Sequence, residues 1–186
     1  MDEIIVHIQW SGPYSFVEAS RFQDLRMDYG VYQFCGPHTV YGRDVLLYLG
    51  KAARQTFGVR IQQEGWERWQ EANGSVRVFL GRLSAGSTPQ NDLWNREIDL
   101  AERLLIRAHR PAHNASGLYR TRDPDIERLH VLNWGDRGAL LPEVSGARWS
   151  ARFASIPGYA AYGSHAPLIA GGGASETGSG DVSGGI

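Results

Sequence analysis

The run Val45-Leu46-Leu47-Tyr48-Leu49 constrains this chain more than any other stretch. Its length and unbroken apolar character read as a buried strand. The run ends at Gly50, where a backbone can turn or admit a close neighbour, and Lys51 follows at the strand's exit. Lys51 is the only lysine among 19 basic residues; the other 18 are arginines. A chain that otherwise uses arginine has kept one compact ammonium here, which hints that a point charge is wanted at this place.

The flanking segments supply strands and helices around this run. Gly30-Val31-Tyr32-Gln33-Phe34 reads as a second strand with Tyr32 and Phe34 on one face. Across the loop 36–43 it pairs with 45–49 as a hairpin, which sets Tyr32 and Tyr48 on neighbouring strands. Earlier, Ile4, Val6, Ile8 and Trp10 alternate with Ile5, His7 and Gln9, the pattern of a half-buried strand broken at Ser11-Gly12-Pro13. His7 reads as a strand-surface residue. Ser15 with Glu18 matches a capping box for a short helix to about Phe22. Thr56 caps a helix over 57–71 that carries Arg60 in its first turns, with Trp66 and Trp69 as packing residues. Residues 75–83 alternate as a third sheet strand, and 84–90 form a turn-rich connection. Residues 129–134 and 139–141 flank Gly135-Asp136-Arg137-Gly138 as a hairpin. The last 16 residues, 171–186, hold seven glycines and no aromatic, which predicts a disordered tail over 161–186.

The firmest helix begins at a cap on Thr88 or Asn91 and is stopped near residue 109 by Pro111. Trp94, Ile98, Ala101 and Leu105 form an apolar stripe at helical spacing. At ~100° per residue, Glu102 sits ~80° from the centre of that stripe. There a carboxylate is partly desolvated yet able to reach a ligand. Glu97 occupies the opposite margin, so geometry alone does not choose between them. From 103 to 122 there are five arginines, Arg103, Arg107 and Arg110 among them, and no acid. That segment is either a solvated helix face and loop or a phosphate-contacting surface.

Composition closes several doors. With 186 residues, 42% hydrophobic and 21% charged, the chain suits one globular domain with trimmings. A net charge of -1 is unlike a nonspecific nucleic-acid coater, so any nucleic-acid face must be local. The single Cys35 rules out an internal disulfide and favours a reducing compartment. Met1-Asp2-Glu3 lacks the basic start of a signal peptide, and no run approaches the ~18 apolar residues of a membrane span, so a cytoplasmic protein with no membrane partner is expected. No Walker loop or dinucleotide fingerprint is present, and the histidines are too scattered in sequence for a metal cluster.

Taken in order, these features resemble the GIY-YIG nuclease family. Gly30-Val31-Tyr32 stands for the first triplet and Tyr48-Leu49-Gly50 for the second, followed by Lys51-Ala52. Arg60 matches the family's helix arginine, slightly farther from the second triplet than usual. Glu102-Arg103-Leu104-Leu105-Ile106, then Pro111 and Asn114, resemble its closing segment, and that spacing selects Glu102 over Glu97. The resemblance covers about residues 29–115. It implies an α+β fold with a small, mainly antiparallel three-stranded central sheet flanked by helices. Residues 1–28 would be an N-terminal strand and helix extension, 116–160 a C-terminal accessory hairpin region. The loop between the triplets is long, and Glu64 stands where many members carry a histidine four residues after the arginine.

The implied activity is hydrolysis of DNA phosphodiester bonds with one divalent cation, Mg²⁺ or Mn²⁺, by a monomer or homodimer. Glu102 would hold the metal, whose remaining positions water fills. Arg60 would contact the scissile phosphate. Tyr32 would take the proton of the attacking water. A phenol near pKa ~10 is a poor base at neutral pH, so it needs a nearby positive charge, for which Lys51 is the candidate. Tyr48 would orient water or phosphate, and Asn114 would hold the site together. Lys51, Arg60, Arg103, Arg107 and Arg110 would contact nucleic acid. The alternatives are a non-catalytic nucleic-acid-binding module on the same fold and a protein with no nucleic-acid role, in which the tyrosines are ordinary sheet residues and Glu102 a helix-surface acid.

Overall fold

A computed structural model describes residues 2–65, 75–83, 92–118 and 123–149, all within one compact unit, Met1–Ser150. Trp66 and Trp69, the 84–90 connection, both candidate caps Thr88 and Asn91, and the expected glycine-rich tail lie outside the described residues. Nine labelled elements organise the unit: β1 (Ile4–Tyr14), α1 (Phe16–Ala19), β2 (Gly30–His38), β3 (Gly42–Ala52), α2 (Phe57–Gln63), β4 (Arg77–Leu83), α3 (Asp92–His109), β5 (Leu129–Gly135) and β6 (Glu143–Ser145). Among them no helix is long and apolar enough to cross a membrane.

The sheet corrects the expected architecture. It has six strands in the order β3-β2-β4-β1-β5-β6 rather than three. All neighbouring pairs are antiparallel except β1 with β5, which run parallel. The physical reason lies in β4 and β1. Val78, Phe79 and Leu80 are all buried, so β4 has no solvent face and is covered on both sides. Its two edges pair with β2 and β1, Leu80 standing opposite Tyr32 on one side and Ser11 on the other. The first strand is therefore an interior member of the sheet. It also runs on through Ser11-Gly12-Pro13, which form an irregularity in its register with β4 rather than its end.

The C-terminal hairpin is displaced as well. β5 pairs with Glu143–Ser145, not with residues 139–141. Asn133, buried in β5, accepts a hydrogen bond from Trp10 Nε1 at 2.8 Å and donates one to the Leu141 carbonyl at 2.8 Å. The Pro142 carbonyl accepts from the Asn133 amide. These bonds hold 141–142 as loop and delay the returning strand.

The two faces of the sheet bury separate cores. Val6, Ile8, Trp10, Val31 and Leu49 pack under α3 through Trp94, Ile98, Ala101 and Leu105, the stripe read from the sequence. On the other face, Tyr32, Phe34, Leu47 and Leu80 pack with Phe57 and Ile61 of α2. The capping box at Ser15 and Glu18 forms, and opens α1. Helix α2 is shorter than its expected 57–71: it ends at Gln63, and Gly65, at φ +70°, takes the left-handed conformation common just past a helix end.

Candidate active site

The β2–β3 hairpin pairs Tyr32 with Gly50 and Phe34 with Tyr48. The Tyr32 and Tyr48 rings lie 6.3 Å apart on the face that α2 covers. Gly50 makes this possible. A Cβ there would stand 2.5 Å from Cζ and Oη of Tyr32 and 2.8 Å from Tyr48 Cε1. The glycine at the end of the apolar run is thus the floor on which two phenols lie.

Helix α2 brings charge to these rings. Phe57 and Ile61 anchor it in the core, so Arg60 and Glu64, three residues on from each and four apart, share the next face. Arg60 Nη2 lies 2.6 Å from Glu64 Oε1. Tyr32 Oη donates to the same carboxylate oxygen at 2.6 Å. Burial, and then the Glu64 charge, push the Tyr32 phenol far above its ordinary value, with Arg60 acting in the opposite sense. Tyr48 is raised for the same two reasons, and Glu102 adds to them.

Across the edge of β3, Lys51 reaches α3. Its Nζ lies 2.8 Å from Glu102 Oε2 and 2.5 Å from Asp99 Oδ1. The Glu102 side chain is recessed, 15% exposed. Burial raises its pKa against the opposing pull of Lys51. For Lys51, burial works to lower the pKa, but the bonds to Asp99 and Glu102 outweigh it and leave the ammonium more firmly protonated than usual. Glu102 also interacts electrostatically with Arg60 and Tyr48. Tyr32, Tyr48, Arg60, Glu64 and Glu102 therefore form one electrostatically connected cluster, contributed by β2, β3, α2 and the turn at its end, and α3.

Asn114 stands behind the cluster and is buried. Its Nδ2 donates to the Leu49 carbonyl and its Oδ1 accepts from the Leu49 amide, each at 2.9 Å. The preceding residues do the same with backbone: Ala112 N–H donates to Leu46 O and His113 N–H to Leu47 O. Residues 112–114 thus cover the outer edge of β3 immediately before Gly50, satisfying groups that an edge strand leaves open.

The sequence reading and the geometry part company at several residues. The positive charge that acts on Tyr32 is Arg60, while Lys51 is engaged by Asp99 and Glu102. Arg103 is held by Asp99 and by Asp123, the latter at 2.8 Å. Arg107 lies over the Trp149 ring at 4.6 Å. Of the three arginines expected on a phosphate surface, Arg110 is the exposed one, in a left-handed turn at φ 48° after α3. Sequence reasoning assigned no part to Asp99 and treated Glu64 as a mere departure. Each carried a signal: Glu64 is four residues after Arg60 and Asp99 three before Glu102, spacings that put acids on the same helix face as a known candidate.

Comparison with family models, with curated proteins and with solved structures finds no match for this chain.

Proposed function

We propose that this chain is a metal-dependent endonuclease that hydrolyses DNA phosphodiester bonds, in the manner its resemblance to the GIY-YIG family implies. One observation carries the reading. Tyr32, Tyr48 and Arg60, far apart in sequence, gather around Glu64 and Gly50 at one end of the β2–β3 hairpin, and Lys51, next to Gly50, ties Glu102 of α3 to the same end. A sheet tyrosine or a helix-surface glutamate chosen by chance has no reason to join such a group.

The residues present fit a hard, largely hydrated divalent cation. Glu102 is a recessed carboxylate whose neighbour in the structure is already a cation, the Lys51 ammonium. Among the described residues no group of three His, Cys, Asp or Glu side chains could encage an ion. A single carboxylate suits Mg²⁺ or Mn²⁺, which keep most of their waters, and does not suit a zinc-type cage. Bound at Glu102, such an ion would supply Lewis-acid stabilisation of charge on the phosphoryl oxygens. Arg60, partly exposed and paired with Glu64, would offer planar donors to a phosphate. Tyr48, whose ring lies 6.3 Å from that of Tyr32, would orient a water or a phosphate oxygen. Asn114 fixes the strand that carries Tyr48 and Gly50.

The test is incubation with supercoiled plasmid and Mg²⁺ or Mn²⁺, with and without chelator. Nicking that the chelator abolishes supports the reading. A retarded band with no nicking in any metal replaces it with a binding module, and neither effect removes nucleic acid from the account.

A further inference from the structure

We infer that Glu64 is the terminal acceptor of the proton released by the attacking water, with the Tyr32 hydroxyl as the relay between them. The inference rests on the nuclease reading above and names a further residue for it. Three observations carry it. Tyr32 Oη is already a donor to Glu64 Oε1, at 2.6 Å, so the hydroxyl proton points at the carboxylate before any reaction begins. Arg60 Nη2 contacts the same oxygen at 2.6 Å and fixes its orientation. Tyr32 is fully buried, and its ring lies against the Cα of Gly50 and beside the Tyr48 ring.

A free phenolate at Tyr32 is disfavoured by the same surroundings. Burial and the adjacent Glu64 charge both oppose a second negative charge there. A neutral phenol passing one proton on as it receives another meets no such penalty. The water oxygen forms its bond to phosphorus as one water proton moves to Tyr32 Oη. The Tyr32 hydroxyl proton moves to Glu64. The phosphorus bond to the leaving nucleotide oxygen breaks, and that oxygen is protonated by solvent. Tyr32 ends neutral, Glu64 ends protonated, and the carboxyl returns its proton to water through its exposed edge.

The titratable groups that face Glu64 among the described residues are Tyr32 from β2, Tyr48 from β3 and Arg60 from α2, the helix Glu64 follows. Lys51 and Asp99 face the α3 side of the cluster, where Lys51 pairs with Asp99 and Glu102 and Asp99 also pairs with Arg103.

The experiment is single-turnover plasmid nicking by the wild type, Glu64→Gln, Tyr32→Phe and the double variant, at saturating metal, with melting temperature and DNA affinity measured for each. Glu64→Gln is expected to lose ~10²-fold or more in rate. Because a relay acts as a unit, the double variant should be within about threefold of the slower single variant. Glu64→Asp, which keeps the carboxylate one methylene shorter, should show a smaller loss, and it decides the matter if Glu64→Gln fails to fold. A Glu64→Gln protein that cleaves as fast as wild type, or faster, overturns the relay, since removing the charge beside Tyr32 then only helps the phenol ionise. Wild-type protein that nicks in no metal fails the nuclease reading itself and takes this inference with it; active wild type with active Glu64→Gln fails this inference alone.

Discussion

Asn114 offers a perturbation whose size follows from geometry independently of any reaction. The residue is 7% exposed and its side chain makes two hydrogen bonds to one residue, giving Nδ2–H to the Leu49 carbonyl and taking the Leu49 amide at Oδ1, both 2.9 Å. Asn114→Ala strips the Leu49 N–H and C=O of their partners at once. An unsatisfied buried backbone group costs about 1–3 kcal/mol. β3 is an outer strand, and water can reach part of the gap that alanine leaves, so the lower part of that range applies to each group, about 2–3 kcal/mol in total. Urea unfolding followed by tryptophan fluorescence measures it: the midpoint should fall with the slope unchanged. Hydrogen exchange at the Leu49 amide should accelerate more than at Val31 in the neighbouring strand. Asn114→Asp keeps the acceptor but sets a carboxylate against the Leu49 carbonyl, so it should be worse than alanine at neutral pH and improve on acidification. A loss below about 0.5 kcal/mol for Asn114→Ala, the size typical of a plain surface change, would refute the role given to this residue.

Other consequences follow from the same contacts. Gly50→Ala, which places a Cβ 2.5 Å from the buried Tyr32 ring, should cost about 1–3 kcal/mol in unfolding free energy and disturb nicking more than DNA affinity, measured by gel shift. Lys51→Met removes the cation beside Glu102 and should tighten Mn²⁺ binding, read by electron paramagnetic resonance, by at least about fivefold, the ~1 kcal/mol that a unit charge ~4 Å away carries even in water. Asp123 is raised by burial, but Arg103 and Arg96 outweigh that and hold its carboxyl below the ordinary 3.8. Its pairing therefore stabilises the fold fully above that value and is lost as pH falls through the lower folded one. Asp123→Asn should flatten the acid limb of stability against pH and cost about 1 kcal/mol at neutral pH, checked by urea midpoints at a series of pH values.

Much of this arrangement was legible in the residues, and what was not has physical causes. The apolar run 45–49 and its partner around Tyr32 specified the hairpin, because a strand buried on both faces and ending in glycine admits few other readings. The stripe Trp94, Ile98, Ala101 and Leu105 specified α3 and left Glu102 at its margin, where the structure has it. The order of strands was not legible: period-two alternation says that β1 is half buried but not that it lies between β4 and β5. The clue was the wholly apolar stretch Val78-Phe79-Leu80, which needs cover on both faces and so belongs inside a wider sheet. Charges were read least well. The segment 103–122 looks basic in sequence because its counter-ions, Asp99 and Asp123, lie just beyond its ends and reach Arg103 only in the fold. Lys51 was expected beside Tyr32, but side chains of successive strand residues point to opposite faces, and Lys51 is one residue from the glycine under that ring. It therefore turns to α3, and the task of facing Tyr32 falls to α2.

The central claim is that Glu102 is the carboxylate that holds the metal on which cleavage depends. The most direct measurement compares plasmid nicking by wild type, Glu102→Gln and Glu97→Gln in saturating Mg²⁺, with melting temperature and DNA affinity recorded alongside. The account predicts that wild type and Glu97→Gln nick at similar rates, while Glu102→Gln is folded, binds DNA and is inactive, since an amide of the same shape lacks the charge a hard cation requires. Nicking by Glu102→Gln at the wild-type rate, or an inactive Glu97→Gln beside it, would contradict the account.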